Sequence, residues 1–223
     1  MNILDITIDF ETCALCPTAA VMSVGTVAWN REAEESPFTF EGFTLPDLFV
    51  YYKHVDMRSQ FVDGFTFDND TAKWWAQNSE EAKRAVLDYD DTPLMPIRHV
   101  IENLLEWMKE VKEMVGAKQV ILWSQGSDFD IAILRNICYK YNIEIPVPYK
   151  NFRDHRTFFL EGTKMICDKA ETEFDSEKAY SLVEPYEGEG VAHDPVFDCK
   201  QSIYSTWQMM RHLKCLCTDK TKV

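Results

Sequence analysis

No apolar run in the 223 residues approaches the roughly 20 needed to cross a bilayer, so the chain is not expected to enter a membrane. The opening residues show no basic segment followed by a long apolar one, and no secretory leader is expected. Positive charge is scarce: 23 Lys and Arg stand against 37 Asp and Glu, a net charge of -14. Proteins that coat long duplex neutralise many phosphates with Lys and Arg, so this balance excludes that class. It leaves room for an enzyme that grips a few nucleotides through bound cations. No Gly-x-Ser-x-Gly is present, which removes support for serine-based catalysis. Repeats, linkers and low-complexity stretches are also missing. The seven cysteines are odd in number and lack a secretory context, which points to free thiols in a reducing, cytoplasmic setting. Cys13-x-x-Cys16 and Cys215-x-Cys217 are not a matched zinc pair.

What is present is enough for one core. At 46% hydrophobic residues, the composition implies a single domain over residues 1–223. An acidic surface insertion is expected at about 168–190, with a short helix near 176–182, and a C-terminal tail at about 214–223. Ile3 to Ile8 is short, β-branched and alternating, the pattern of a strand. Ala20 to Trp29 reads as a second strand, and Phe38 to Leu45 as a third, joined by a polar loop from Asn30 to Ser36. Asp70 and Ser79 are expected to cap two short helices. The clearest helix runs from Pro96 to Val115: Ile97, Ile101, Leu104, Leu105, Met108, Val111 and Val115 form one stripe, closed by Gly116. Gln119 to Trp123 is a buried-type strand that turns into a helix from about Asp128 to Tyr141, with Asp128 as its cap. Lys150, Arg153, His155 and Arg156 make a short positive run. Asp194-Pro195 starts a last helix, which is expected to end near Leu213. The fold class is α/β: a mixed central sheet that opens with an antiparallel meander and is flanked by helices.

Strand alternation puts Asp9 and Glu11 on one face and Phe10 on the other. Two carboxylates side by side repel unless a positive group sits between them, and a divalent metal with oxygen ligands is the usual remedy. Phe129-Asp130 opens the helix after the buried strand, and His193 precedes Asp198 by five residues at the start of the last helix. Together these pieces resemble the DEDDh 3′-5′ exonuclease superfamily, which includes polymerase proofreading exonucleases and RNase T. A wider likeness covers most of the chain: Ala19 to Val27, Thr71-x-x-Trp74-Trp75-x-Gln77, Arg153-Asp154-x-Arg156-Thr157 and Val191 to Asp194 are similar to the T-even phage exodeoxyribonuclease A and RNase AS-type exoribonuclease family.

The resemblance implies an RNase H-like fold and hydrolysis of terminal phosphodiester bonds of single-stranded DNA or RNA 3′ ends, with DNA slightly favoured. It implies two Mg²⁺ ions, for which Mn²⁺ can substitute, held by Asp9, Glu11, Asp130 and Asp198. Asp9 would bridge both, Glu11 would hold the ion carrying the attacking water, and His193 would take the proton. An imidazole ordinarily titrates at about 6.5, which suits a base at neutral pH. Candidate substrate contacts are Phe10, Trp74, Trp75, Arg153 and Arg156, although Phe10 faces the core by alternation. Related enzymes are often homodimers, but no self-complementary face is legible here. Two other readings compete. One is a silent nuclease fold that only binds nucleic acid, disfavoured because a binder gains nothing from buried, mutually repelling carboxylates. The other is an aspartyl phosphatase, which usually shows Asp-x-Asp where this chain has Asp9-x-Glu11.

Overall fold

The computed structural model of the chain describes residues 1–43, 46–87, 94–126, 128–167 and 180–219. β1 (Ile3–Thr12) lies at the middle of a five-stranded sheet. It pairs antiparallel with β2 (Val21–Trp29) and parallel with β4 (Gln119–Ser124). β3 (Val50–His54) closes one edge against β2, and the short β5 (Phe152–Asp154) closes the other against β4. The strand order is β3-β2-β1-β4-β5, a mixed sheet as expected.

The period of β1 divides the molecule. Leu4, Ile6, Ile8 and Phe10 are all buried on one face. There they join the core built with α4 (Ile97–Met114) and α5 (Asp130–Tyr141). The opposite face carries Asp5, Thr7, Asp9 and Glu11. A second apolar cluster covers this face further along: Val27, Trp29, Ile121 and Trp123 pack on Cys199, Ile203 and Trp207 of α7 (Pro195–Asp219).

The polar face is satisfied at its lower end and left open at its upper end. Buried Asp5 takes a bidentate pair from Arg31 and a 2.7 Å hydrogen bond from Trp123 Nε1. Thr7 Oγ1 accepts from Trp29 Nε1 at 3.0 Å and lies 2.9 Å from His155 Nε2, whose Nδ1 is 2.7 Å from Thr206 Oγ1. Burial pushes the His155 imidazole down to about 3, so it is neutral and does not belong to the positive run expected around it. Among the described residues, no hydrogen bond reaches the carboxylates of Asp9 or Glu11.

Several expectations are corrected. The third strand is Val50–His54, not Phe38 to Leu45. Asn30 N–H donates to Pro37 O at 2.8 Å, so the chain does turn back. Gly42 then sits at φ +82°, and Phe40 stacks on Phe49 at 3.9 Å, which uses the aromatics as a plug rather than a ladder; positions 44 and 45 lie outside the described residues. The first short helix of the expected pair is α2 (Asn69–Gln77), capped by Asp68 rather than Asp70. Ser79 does cap α3 (Glu80–Leu87), where Ala82 N–H donates to Ser79 Oγ at 3.1 Å. α5 begins at Asp130, with Phe129 at the cap position and Asp128 exposed, so Asp128 is not its cap. α7 continues through the expected tail to Asp219. Two helices, α1 (Met57–Val62) and α6 (His155–Cys167), went unread in the sequence. The short helix near 176–182 and much of the acidic insertion fall on 168–179, outside the described residues.

What brings α7 onto the sheet is Gly25, the ladder partner of Asp9. A Cβ there would lie 2.5 Å from the carbonyl carbon of Pro195 and 2.6 Å from Val196 N. The first turn of α7 therefore rests directly on the β2 backbone, and Cys199 Sγ donates to Thr7 O and Gly25 O at 3.5 and 3.6 Å. Replacing Gly25 with Ala should lift this turn off the sheet. The expected cost is about 1–3 kcal/mol, typical of overpacking, and thermal melts of the variant beside the unchanged protein check this.

Candidate active site

Five residues from three elements meet at the C-terminal end of β1. Asp9 and Glu11 come from the strand, Asp130 from the first turn of α5, Asp198 from the first turn of α7, and His193 from the turn just before it. Asp130 is tied to the strand directly: Phe10 N–H donates to Asp130 Oδ1 at 3.1 Å. Asp194 caps α7, accepting from Val196 and Phe197 N–H at 2.9 and 3.0 Å, and Pro195 follows as expected. This fixes the register that turns Asp198 toward β1.

His193 sits just before that cap with φ +69°, a left-handed conformation that costs a non-glycine residue about 1–3 kcal/mol. Its backbone N–H donates to Asp198 Oδ2 at 3.0 Å, so Asp198 holds the histidine in place as well as facing the other acids. His193 Nδ1 lies 4.0 Å from Glu11 Oε1. Ligand atoms of Glu11, His193 and Asp198 all fall within 4.8 Å of one another, the one such group found among the described residues. Cys13, Cys16, Cys138 and Cys199 are free thiols, in line with the sequence.

Electrostatically the site is strained. Burial pushes the Asp9 carboxyl well above its usual range, and Asp130, Glu11, Asp198 and Asp194 push it further. Glu11 is raised to about 8, by burial first and then by Asp198 and Asp130. Asp130 is raised to about 7 by burial, against the pull of the Phe10 N–H. Asp198 is also raised by burial, against its hydrogen bond from His193. Four acids raised by burial, two of them (Asp9 and Glu11) raised further by the others, with no lysine or arginine paired to them among the described residues, form a donor set that fits divalent cations with oxygen ligands.

The remaining candidates divide. Trp74 is 46% exposed and stands edge-on to His193, with ring centroids 5.0 Å apart. Trp75 is buried against the same imidazole at 5.7 Å, and its Nε1 donates to Thr12 O at 3.0 Å, so it is a wall rather than a free platform. Phe10 is 3% exposed in the core and cannot touch substrate with its ring. Arg153 Nη1 donates to the carbonyls of Lys150 and Phe152 at 2.7 and 2.8 Å, which pins the turn into β5. Arg156 is exposed, and its charge pulls the Asp130 carboxyl down while Asp154 pushes it up. The sequence reading missed Gly25 and Gln125; their roles come from contacts distant in sequence.

A profile of the family described as the 3′-5′ exoribonuclease Rv2179c-like domain matches residues 4–201. Among curated proteins, none matches the chain by sequence. The solved nuclease domain of 3′hExo, a DEDDh family member bound to rAMP, superposes with a TM-score of 0.53 at 14% identity, covering 93% of this chain and 92% of that one. Cell-death related nuclease 4 (CRN-4) superposes with a TM-score of 0.57 at 15% identity, over 94% of this chain and 64% of its own. At such identities the likeness is one of fold: an RNase H-like α/β domain, as the sequence implied.

The raised carboxyls set a direction for pH. An acid whose folded pKa lies above its unfolded value adds stability below the unfolded value and loses it as pH rises through the folded one. For Glu11 and Asp130 that window runs from about 4 up to about 8. Metal-free protein should therefore melt several degrees lower at pH 8.5 than at pH 5.5, and added Mg²⁺ should raise the midpoint far more at the higher pH. Scanning calorimetry in EDTA and in Mg²⁺ checks both.

Proposed function

The chain belongs to the Rv2179c-like family of 3′-5′ exoribonuclease domains, within the DEDDh exonucleases, and on that premise we propose that it removes 5′-mononucleotides one at a time from single-stranded RNA 3′ ends. The observation that carries this reading is the convergence of Asp9, Glu11, Asp130, Asp198 and His193 at one strand end. The family description names RNA. The expectation of a DNA preference rests on resemblance to a phage enzyme, so RNA is the proposed substrate and DNA the comparison.

Asp9, Glu11, Asp130 and Asp198 would hold two Mg²⁺ ions. When bound, such ions ease deprotonation of water and neutralise charge on the phosphate and the leaving oxygen. The imidazole of His193 accepts the proton from the attacking water. Glu11, 4.0 Å from Nδ1, stabilises the imidazolium that forms. The water oxygen bonds to phosphorus, the P–O3′ bond breaks, and the departing 3′ oxygen takes a proton from solvent. Trp74, exposed and edge-on to His193, offers a face for the terminal base, and stacking of that kind tolerates any base. Asp198 positions His193 through the backbone and so couples the base to the ligands.

Single-stranded RNA labelled at its 5′ end should shorten stepwise in Mg²⁺, remain intact in EDTA, and outpace DNA of the same sequence. Shortening from the 5′ end, or equal rates in EDTA, would sink the reading. His193→Ala should retain metal binding by calorimetry while turnover falls roughly 10²–10⁴-fold, the usual worth of a general base. Asp9→Asn should lose both.

A further inference from the structure

Among the described residues, two buried side-chain hydroxyls have no hydrogen-bond partner, those of Ser23 and Thr26, both on β2. Both residues are fully buried. A hydroxyl taken out of water without a partner is a cost to the fold. The pleat puts the two on opposite faces of the sheet, because they stand three positions apart. Thr26 pairs with Ile8 and Tyr51 and faces the apolar core with them. Ser23 is on the face of the carboxylates, and its ladder partners are Glu11 on β1 and His54 on β3. His54 is engaged elsewhere: its Nε2 lies 2.8 Å from the Tyr52 hydroxyl and 3.1 Å from Ala85 O. The Glu11 carboxylate, like the Ser23 hydroxyl, has no hydrogen bond among the described residues. Residues directly opposite in an antiparallel pair have Cβ atoms about 4.5–5.5 Å apart, a gap that a glutamate arm and a serine hydroxyl can close by rotation alone.

We infer that Ser23 is a positioning residue: its hydroxyl donates to one oxygen of Glu11 while the other oxygen holds a cation. The inference rests on the proposed exonuclease reading, in which Glu11 is a metal ligand, and adds a residue to it. A ligating carboxylate is commonly aimed by a hydrogen bond from behind. Asp130 has one from Phe10 N–H, and Asp198 has one from His193 N–H. Asp9 has a short arm, and Gly25 opposite it offers no side chain. Glu11 has the longest arm of the four, and so the most rotational freedom to lose when it binds. It is also the acid whose neighbour across the ladder carries a buried hydroxyl with nothing else to bond. The pairing accounts for both unpartnered groups at once, which the apolar surroundings of Thr26 do not do for its hydroxyl.

That contrast supplies the control. Ser23→Ala and Thr26→Val each remove one unpartnered buried hydroxyl, on opposite faces of the same strand. In EDTA, both variants should melt no lower than the unchanged protein, because neither loses a hydrogen bond. Mn²⁺ titrated by calorimetry should bind Ser23→Ala about 10–100-fold more weakly, the usual effect of losing a partner behind a ligand. The Mg²⁺ concentration that half-saturates RNA hydrolysis should rise in proportion. Thr26→Val should keep the affinity of the unchanged protein. Equal Mn²⁺ affinity in Ser23→Ala and the unchanged protein overturns the inference, and so does an equal loss in both variants, which would trace the effect to strand packing. If Ser23→Ala does not fold, Ser23→Cys, which keeps a side chain of similar shape with a weak donor, decides by the same titration. Wild-type protein that binds Mn²⁺ and shortens RNA, with Ser23→Ala matching it, leaves the exonuclease standing and removes the role of Ser23. Wild-type protein that binds no Mn²⁺ removes Glu11 as a ligand and this inference with it.

Discussion

Four carboxylates drawn together against their own repulsion are the constraint around which this molecule is arranged. Asp9, Glu11, Asp130 and Asp198 are all pushed upward in pKa by burial, and Asp9 and Glu11 further by their acidic neighbours. Nothing in the site itself favours that assembly, so the rest of the fold must hold it. The apolar face of β1 against α4 and α5 anchors two of the acids and the helix bearing the third. The cluster of Trp29, Trp123, Ile203 and Trp207 anchors the helix bearing the fourth. The site is stable because its ligands sit on elements whose other faces are committed to the core, at roughly 25 cal/mol per Å² of apolar surface removed from water.

The polar face of β1 shows how selective this is. Asp5 and Thr7 lie on the same side as Asp9 and Glu11, yet each has its partners: Arg31 and Trp123 for one, Trp29 and His155 for the other. Burying a polar group without partners is expensive, and the chain avoids that expense at two positions of four. The other two are left open where the strand reaches the site. That contrast within one strand argues for a role beyond structure more directly than the acids alone do.

Much of this was legible in the sequence because it is local. Alternation in β1 places Asp9 and Glu11 together, and the cap Asp194 with Pro195 fixes where Asp198 faces. α4 was legible from its stripe alone. The misses share a cause. Phe38 to Phe43 has strand-like composition, but the rings of Phe40 and Phe43 are claimed by Phe49, six or more residues away, and that of Phe38 by Tyr186. Gly25 is one small residue in a strand until α7 lies on it. Gln125 reads as a turn residue until Ser202 reaches it from 77 positions downstream. Contacts of this kind are set by tertiary packing, and no window of sequence contains them.

The division of β1 into an apolar and a polar face has a consequence for how the protein can fail. A slip of one residue in the pairing of this strand would exchange Leu4, Ile6, Ile8 and Phe10 with Asp5, Thr7, Asp9 and Glu11. The core and the site would be lost in the same event. A population of compact but misregistered molecules with a working centre therefore has no route into existence, and specific activity serves as an internal gauge of how much of a preparation has reached its native pairing.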